Sequence, residues 1–135
     1  MLLDPITKQP YDPSLYDFTT YFDIYDREET LGEELSKYDP NIANDRCAII
    51  NKYVIDKSNY LTYRHKYLLF KVLEDALNDT HYDFNRILED DPDEYSSIAW
   101  DINDPRGFFE DILKIAKESW KDELYKASLE DPNAW

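Results

Sequence analysis

The sequence predicts an all-α protein, a single-domain bundle of about five to seven helices with short connections. Only two glycines occur in 135 residues, which leaves few positions for hairpin turns, and no segment shows the strict alternation of a half-buried strand. Six of the seven prolines follow an aspartate. Asp is a good helix N-cap and Pro suits the first helical position, so this pair favours a helix start. One domain is therefore expected over residues 1–135.

The aspartate–proline pairs and the apolar spacing together predict the helices of the first half. A first helix is expected from Pro13 to about Tyr25, and a short second one over residues 28–37. The pair Asp39–Pro40 opens a third helix, whose buried face is expected to contain Ile42, Cys47, Ile50 and Val54. Cys47 has apolar neighbours, which favours a buried and inert thiol.

The second half of the chain contains the two strongest apolar stripes. Ser58 is the expected cap of a fourth helix, whose stripe consists of Leu61, Leu68, Leu69, Val72, Leu73, Ala76 and Leu77. Short helices are expected over residues 82–89 and from Asp91 towards Trp100. The pair Asp104–Pro105 opens the last and longest helix, with a stripe of Phe109, Ile112, Leu113, Ala116, Trp120 and Leu124. The two ends, residues 1–11 and 130–135, are expected to fray.

The chain is strongly acidic. Thirty Asp and Glu residues against 15 Lys and Arg give a net charge of −15, which favours a monomer, attracts basic surfaces and repels nucleic acid. No apolar run is long enough to span a bilayer, and the N-terminal residues do not resemble a secretory signal. A cytoplasmic protein is therefore expected, without membrane association.

Catalytic and metal-binding patterns are scarce. One cysteine and two distant histidines, His65 and His81, cannot supply a structural zinc site. His65 lies beside two cations at the edge of an apolar stripe, which favours a packing role. The acidic stretch 89–94 lacks the glycine of a calcium loop, and the twelfth position counted from Asp91 is Ile102 instead of glutamate. We therefore expect neither an enzyme nor a bound cofactor or metal.

One basic island, residues 52–71, interrupts the acidity. Its five cations and Asp56 sum to +4, and four tyrosines lie among them, a combination that can bind a nucleic-acid strand. The remaining residues carry −19, which would oppose phosphate. The sequence therefore predicts that the island forms ion pairs with the acidic helices, and that the chain does not bind nucleic acid directly.

The acidity is concentrated in two places, and tyrosines accompany it. Residues 72–113 carry 13 acidic side chains against Arg86 and Arg106, for a local charge of −11. Tyrosine supplies contact area at low entropic cost, and a neighbouring carboxylate can bind Lys or Arg. The predicted partner-binding residues are Asp79, Tyr82, Asp83, Glu89, Asp90, Asp91, Asp93, Glu94 and Tyr95. A second, N-terminal cluster contains Asp23, Tyr25 and Asp26.

Size, acidity and the lack of catalytic groups resemble those of bacterial immunity proteins as a class. The resemblance lies in composition alone. It implies a basic protein partner, such as a toxin or nuclease, whose active or substrate-binding surface the chain would cover. Two alternatives stay open at this point. One is a phage-type DNA mimic that blocks restriction or CRISPR machinery, which the lysines of the last helix disfavour. The other is an accessory protein whose charge serves solubility.

Overall fold

The protein is an all-α bundle, as the sequence predicts. The computed structural model describes residues 1–91, 93 and 96–135. It contains five α-helices: α1 Glu33–Leu35, α2 Ala43–Ile50, α3 Tyr63–Asn78, α4 Pro105–Ser119 and α5 Lys121–Ser128. Tighter 3-10 turns cover Leu15–Phe18, Thr20–Phe22, Asp56–Ser58, Phe84–Leu88 and Pro132–Ala134, and wider π turns cover Glu28–Gly32 and Asn51–Ile55.

Aromatic side chains fill much of the core. Helix α3 packs against α4 and α5, and α2 packs against α4. The ring of Phe22 lies 5.4 Å from that of Trp100 and 5.7 Å from that of Phe108, measured between ring centres. Phe84 similarly contacts Phe109 at 5.0 Å. These contacts attach the irregular segments around Phe22 and Phe84 to α4 through buried area.

Helix α3 has the predicted stripe but a different start. Leu69, Leu73 and Ala76 are buried, as expected. The cap is Thr62 instead of Ser58, because the Thr62 hydroxyl accepts from the backbone N–H of His65. The Ser58 hydroxyl donates to the carbonyl oxygen of Val54. A helix starts where a side chain can accept its first N–H groups, and Ser58 is occupied by the preceding turn.

The predicted last helix is correct at its start and wrong in its continuity. Asp104 caps α4 by accepting from the N–H of Gly107 at 3.0 Å, and Pro105 takes the first helical position. A side chain at residue 107 would collide with that cap, because its Cβ would lie 2.2 Å from Asp104 Oδ2. The chain bends at the buried Trp120 (φ −102°, ψ 14°), which divides the predicted helix into α4 and α5.

Several other aspartates that precede a proline bind the backbone locally, which corrects the helix starts predicted at Asp39 and Asp91. Asp4, Asp39 and Asp91 each accept from the backbone N–H two residues further on. This bond satisfies the backbone locally and competes with helix formation. The first predicted helix, expected from Pro13 to about Tyr25, is also corrected, because the structure has two 3-10 turns there, Leu15–Phe18 and Thr20–Phe22.

Two further predicted helices are corrected in the acidic half. The one over residues 82–89 is a 3-10 turn, Phe84–Leu88. The one from Asp91 towards Trp100 does not form in the described residues, where Asp91 pairs with Ser96 in an isolated bridge. Pro92, the predicted first residue of that helix, lies outside the described residues.

The buried face of the third predicted helix is also corrected. Ile50 and Val54 are buried as predicted, but Ile42 and Cys47 are exposed, and Ile49 and Tyr53 are buried in their place. Ile42 precedes α2 in an extended conformation, and the π turn Asn51–Ile55 continues it. A π turn contains an extra residue, so the buried face rotates relative to a regular α-helix.

Both termini contact α3. At the N-terminus, the backbone N–H of Tyr11 donates to the carbonyl oxygen of Leu2, and His65 Nε2 contacts the carbonyl oxygen of Leu3 at 2.7 Å. At the C-terminus, Arg64 on α3 donates to Glu130 at 2.9 Å. The fraying of both ends stays a prediction, which these contacts make testable.

Candidate functional site

The two acidic clusters that the sequence offers as separate candidates lie side by side. Residues 22–24 pair in antiparallel fashion with residues 97–99. The N–H of Ile24 donates to the carbonyl oxygen of Ser97 at 2.8 Å, and the N–H of Ala99 donates to that of Phe22 at 2.9 Å. We call the acidic residues 23, 26, 79, 83, 89–91 and 93, with their neighbouring tyrosines, the joined acidic surface.

Two carboxylates fix this junction. Asp23 Oδ1 accepts from the backbone N–H of Ser97 at 2.9 Å and from that of Tyr25 at 3.0 Å. Asp90 Oδ1 accepts from the backbone N–H of Ile98 at 2.7 Å. One acid from each cluster therefore binds the same short segment, 97–98. The carboxylates are structural here as well as charged.

Three more aspartates of the surface stabilise turns. Asp79, Asp83 and Asp91 accept from backbone N–H groups two residues further on, at 3.0, 3.0 and 3.1 Å. All three residues are exposed. Each bond uses one carboxylate oxygen of an exposed residue, so these carboxylate groups remain at the surface in contact with solvent. Glu89 and Asp93 are exposed as well.

Two of the three arginines near this surface, Arg106 and Arg27, bind carbonyl oxygens, and the third, Arg86, lines the groove. The guanidinium of Arg106 donates to the carbonyl oxygens of Leu77 (3.3 Å), Asp79 (2.9 Å) and Tyr82 (3.1 Å). Arg27 donates in the same way to the carbonyl oxygens of Thr20 and Asp23. These two cations therefore hold the backbone in place and form no ion pair with the acidic side chains of the described residues.

Five ion pairs occur in the part of the chain that the structure describes, and none includes the joined acidic surface. They are Arg46–Asp111, Lys52–Glu34, Arg64–Glu130, Lys66–Glu123 and Lys71–Glu74. Four of the five cations of the basic island take part, which confirms the predicted internal role of the island. The acids that these cations neutralise lie elsewhere, so the joined surface keeps its charge.

The tyrosines of this surface are partly exposed. Tyr82 is 37% exposed, and its ring centre lies 4.8 Å from that of the buried Phe84. Tyr25 is 41% exposed. The ring of Tyr82 is thus held by the buried Phe84 on its inner side. Its outer side stays exposed to solvent, as contact with a partner would require. Two predicted partner-binding residues, Glu94 and Tyr95, lie outside the described residues.

A groove of about 550 Å³ runs along the junction of the two clusters. Its lining includes Tyr16, Asp23, Arg27, Arg86, Glu89 and Asp91. Tyr16 is 56% exposed and lines the groove, although it is not among the predicted partner-binding residues. It belongs to a Tyr–Asp pair like those of the predicted residues, but only the pairing of distant segments places it beside Glu89 and Asp91.

The ring of His65 is bonded within the fold. His65 is buried, with Nε2 2.7 Å from the Leu3 carbonyl oxygen and Nδ1 2.6 Å from the Thr62 hydroxyl. A carbonyl can only accept, so Nε2 carries the hydrogen and both ring nitrogens are occupied. Among the described residues, no three His, Cys, Asp or Glu side chains converge on a possible metal position.

Fold and surface together define an acidic all-α protein in which two acidic clusters adjoin along a groove. None of the described helices combines the length and the apolarity needed to cross a bilayer. Comparisons with protein-family models, with curated proteins and with solved structures each find no match to this chain.

Proposed function

We propose that this chain binds and neutralises a basic protein, as an immunity protein or antitoxin covers the substrate-binding surface of a toxin such as a nuclease. One observation carries the proposal. The pairing of residues 22–24 with 97–99 brings two acidic clusters together, and their carboxylates enter none of the five ion pairs of the described residues. In a chain whose basic island is otherwise paired internally, this surface keeps its negative field for an external cation.

The physical basis is electrostatic attraction followed by close contact. A negative surface and a basic one attract over several ångströms, which raises the association rate and makes it fall with salt. Surfaces that bind nucleic acid are rich in Lys and Arg, so a nuclease is a partner of the required chemistry. Tyr82, supported by Phe84, supplies contact area for the bound state. The proposed role is binding by a cytoplasmic monomer and includes no catalytic step.

The test compares two charge-matched double variants. The surface variant carries Glu89→Gln and Asp93→Asn, and the control carries Glu110→Gln and Glu118→Gln on α4. All four residues are exposed, and none enters an ion pair in the described part of the chain. Both variants change the net charge equally. A difference in association rate between them would therefore result from the position of the removed charges and not from the total charge.

Each chain is used to capture a partner from cells of the source, and association is then measured over a salt series. We expect the surface variant to associate several-fold more slowly at low salt, with a shallower salt dependence, and the control to match the unmodified chain. Stoichiometric addition of the unmodified chain should abolish the partner's activity. Equal association of both variants, or a partner that stays active when bound, would contradict the proposal.

A further inference from the structure

A second cavity shares part of the 3-10 turn Thr20–Phe22 with the groove. It measures about 260 Å³, and Thr20 lines both this cavity and the groove. Four tyrosines contribute walls: Tyr11, Tyr21, Tyr53 and Tyr60. Buried Val54, Leu61 and Leu69 also line it. Small-molecule pockets measure roughly 300–1,000 Å³, so this volume suits a single side chain better than a larger ligand.

Two carboxylates give the cavity a negative field. Asp4 and Asp17 both line it. Asp17 accepts from the backbone N–H of Ser14 at 2.9 Å. Loss of solvation nevertheless raises the pKa of the Asp17 carboxyl, and the charges of Asp4 and Asp12 raise it further. A cation placed near such a poorly solvated carboxylate stabilises its ionised form.

One cation of the chain already occupies this environment. The ammonium nitrogen of Lys57 lies 4.9 Å from the ring centre of Tyr21, over its face, and Lys57 lines the cavity. Lys57 is the one cation of the basic island that forms no ion pair in the described part of the chain. Tyrosine faces attract ammonium groups through the ring quadrupole. The cavity walls therefore already accept an alkylammonium group.

We infer that this tyrosine-lined cavity is a binding site for an alkylammonium group, the lysine side chain of the basic partner, which displaces the ammonium group of Lys57. The identity of the occupant rests on the proposed function. Three observations support the site: the four tyrosines that line it, the two carboxylates, and an internal ammonium group over the ring of Tyr21. Tyr60 lines the cavity and is 56% exposed, so at least one wall of the cavity reaches the protein surface.

The cavity can be tested without the partner. n-Butylammonium reproduces the lysine side chain, and n-butanol is its neutral counterpart. Both are titrated into the full chain while the tyrosine ring resonances are followed by NMR. We expect saturable shifts of Tyr21 and Tyr60 with butylammonium only, with a dissociation constant on the order of 1 mM, about −4 kcal/mol. Equal shifts with both probes, or no saturation, would overturn the inference.

Displacement of Lys57 gives a sharper readout. Lys57→Met should tighten butylammonium binding about two- to fivefold, because a cation–π contact at an exposed site is worth about 0.5–1 kcal/mol. Lys126→Met is the matched control. The ammonium group of Lys126 on α5 also lies over a tyrosine face, 4.3 Å from the ring centre of Tyr63. Its replacement removes the same charge from a residue that does not line the cavity. Equal tightening by both variants would show a general charge effect and overturn the displacement.

A partner measurement separates this inference from the proposed function. Tyr60→Leu should weaken the complex about tenfold, whereas Tyr125→Leu, at a 67% exposed tyrosine on α5, should not change it. If Tyr60→Leu abolishes butylammonium binding and leaves partner affinity unchanged, the assignment to the partner's lysine is overturned while the proposed function stands. If butylammonium binds as expected and no basic partner is neutralised, the site stands and the proposed function falls.

Discussion

The carboxylate of Asp23 accepts a hydrogen bond from the backbone N–H of Ser97, a residue 74 positions later in the chain, at 2.9 Å. The same oxygen also accepts from the N–H of Tyr25. One side chain thereby attaches the N-terminal acidic cluster to the acidic segment that follows α3. This attachment adds to the backbone pairing of residues 22–24 with 97–99.

Replacing Asp23 should separate the effects of charge and hydrogen bonding. Asp23→Ala leaves two backbone N–H groups without their acceptor and should lower the free energy of unfolding by about 1–2 kcal/mol. Asp23→Asn retains an acceptor oxygen and should cost less than half of that. Urea unfolding measures both values. Equal losses in the two variants would show that the charge of Asp23, and not its hydrogen bonds, stabilises the junction.

The carboxyl of Asp17 should lower stability at neutral pH. Its pKa in the folded protein is raised above the ordinary value of 3.8, first by loss of solvation and then by neighbouring carboxylates. An acid with a raised folded pKa destabilises the fold while it is ionised, and the penalty disappears as pH falls through the folded pKa towards 3.8. Asp17→Asn should therefore raise the free energy of unfolding at pH 7. Near pH 3 the variant and the unmodified chain should be equally stable.

Asp4 supplies the control of opposite sign. The backbone N–H groups of Thr7 and Ile6 lower the pKa of the Asp4 carboxyl. Its ionised form stabilises the fold above its unfolded pKa, and the contribution is lost as pH falls through the folded value. Asp4→Asn should therefore destabilise the protein at pH 7. Stability differences of the same sign for both variants would contradict these assignments.

The ion pair between α3 and α5 should be asymmetric in its energetics. The Lys66 side chain is only 7% exposed and contacts Glu123 Oε1 at 2.9 Å, while Glu123 is 37% exposed. Glu123→Ala leaves a buried cation unpaired and should cost about 2 kcal/mol, below the usual 3–5 because water reaches the position. Lys66→Met removes the buried charge and should cost less than 1 kcal/mol. A larger loss for Lys66→Met in urea unfolding would contradict this account.

The N-terminal residues should detach when His65 is replaced. His65→Ala removes the bond to the Leu3 carbonyl and the edge-on contact with Tyr11, whose ring centre lies 4.7 Å from that of His65. Exchange of the Tyr11 backbone N–H should then accelerate by about tenfold or more, measured by hydrogen–deuterium exchange. His81→Ala, at an exposed histidine, should leave it unchanged. Unchanged exchange in His65→Ala would show that another contact holds the segment.

Local sequence was sufficient to determine the fold class and its strongest elements. Scarce glycine and helical spacing predict an all-α chain, and the stripe of Leu69, Leu73 and Ala76 is buried as predicted. The cap at Asp104 was predictable because an Asp–Pro pair and a glycine three residues after the aspartate lie within one turn. Interactions of this kind span three or four residues, so sequence spacing alone reveals them.

Tertiary structure decided which aspartate–proline pairs start helices and where helices change direction. The dipeptide Asp–Pro occurs at both places, but Asp104 caps α4 and Asp39 forms a turn. The side-chain acceptor can serve either conformation, and burial of the following apolar face selects between them. The bend at Trp120 and the exposure of Cys47 likewise depend on packing between helices, which no local pattern specifies.

Tertiary structure also decided the shape of the candidate site. The sequence selected most of the acidic residues and left the two clusters as alternatives, whereas pairing of residues 22–24 with 97–99 makes them one surface. That pairing has no sequence signal, because its register is set by burial of Phe22 against Trp100 and Phe108. Composition determines how much charge the chain carries, and long-range packing determines which carboxylates meet a cation within the chain and which face solvent.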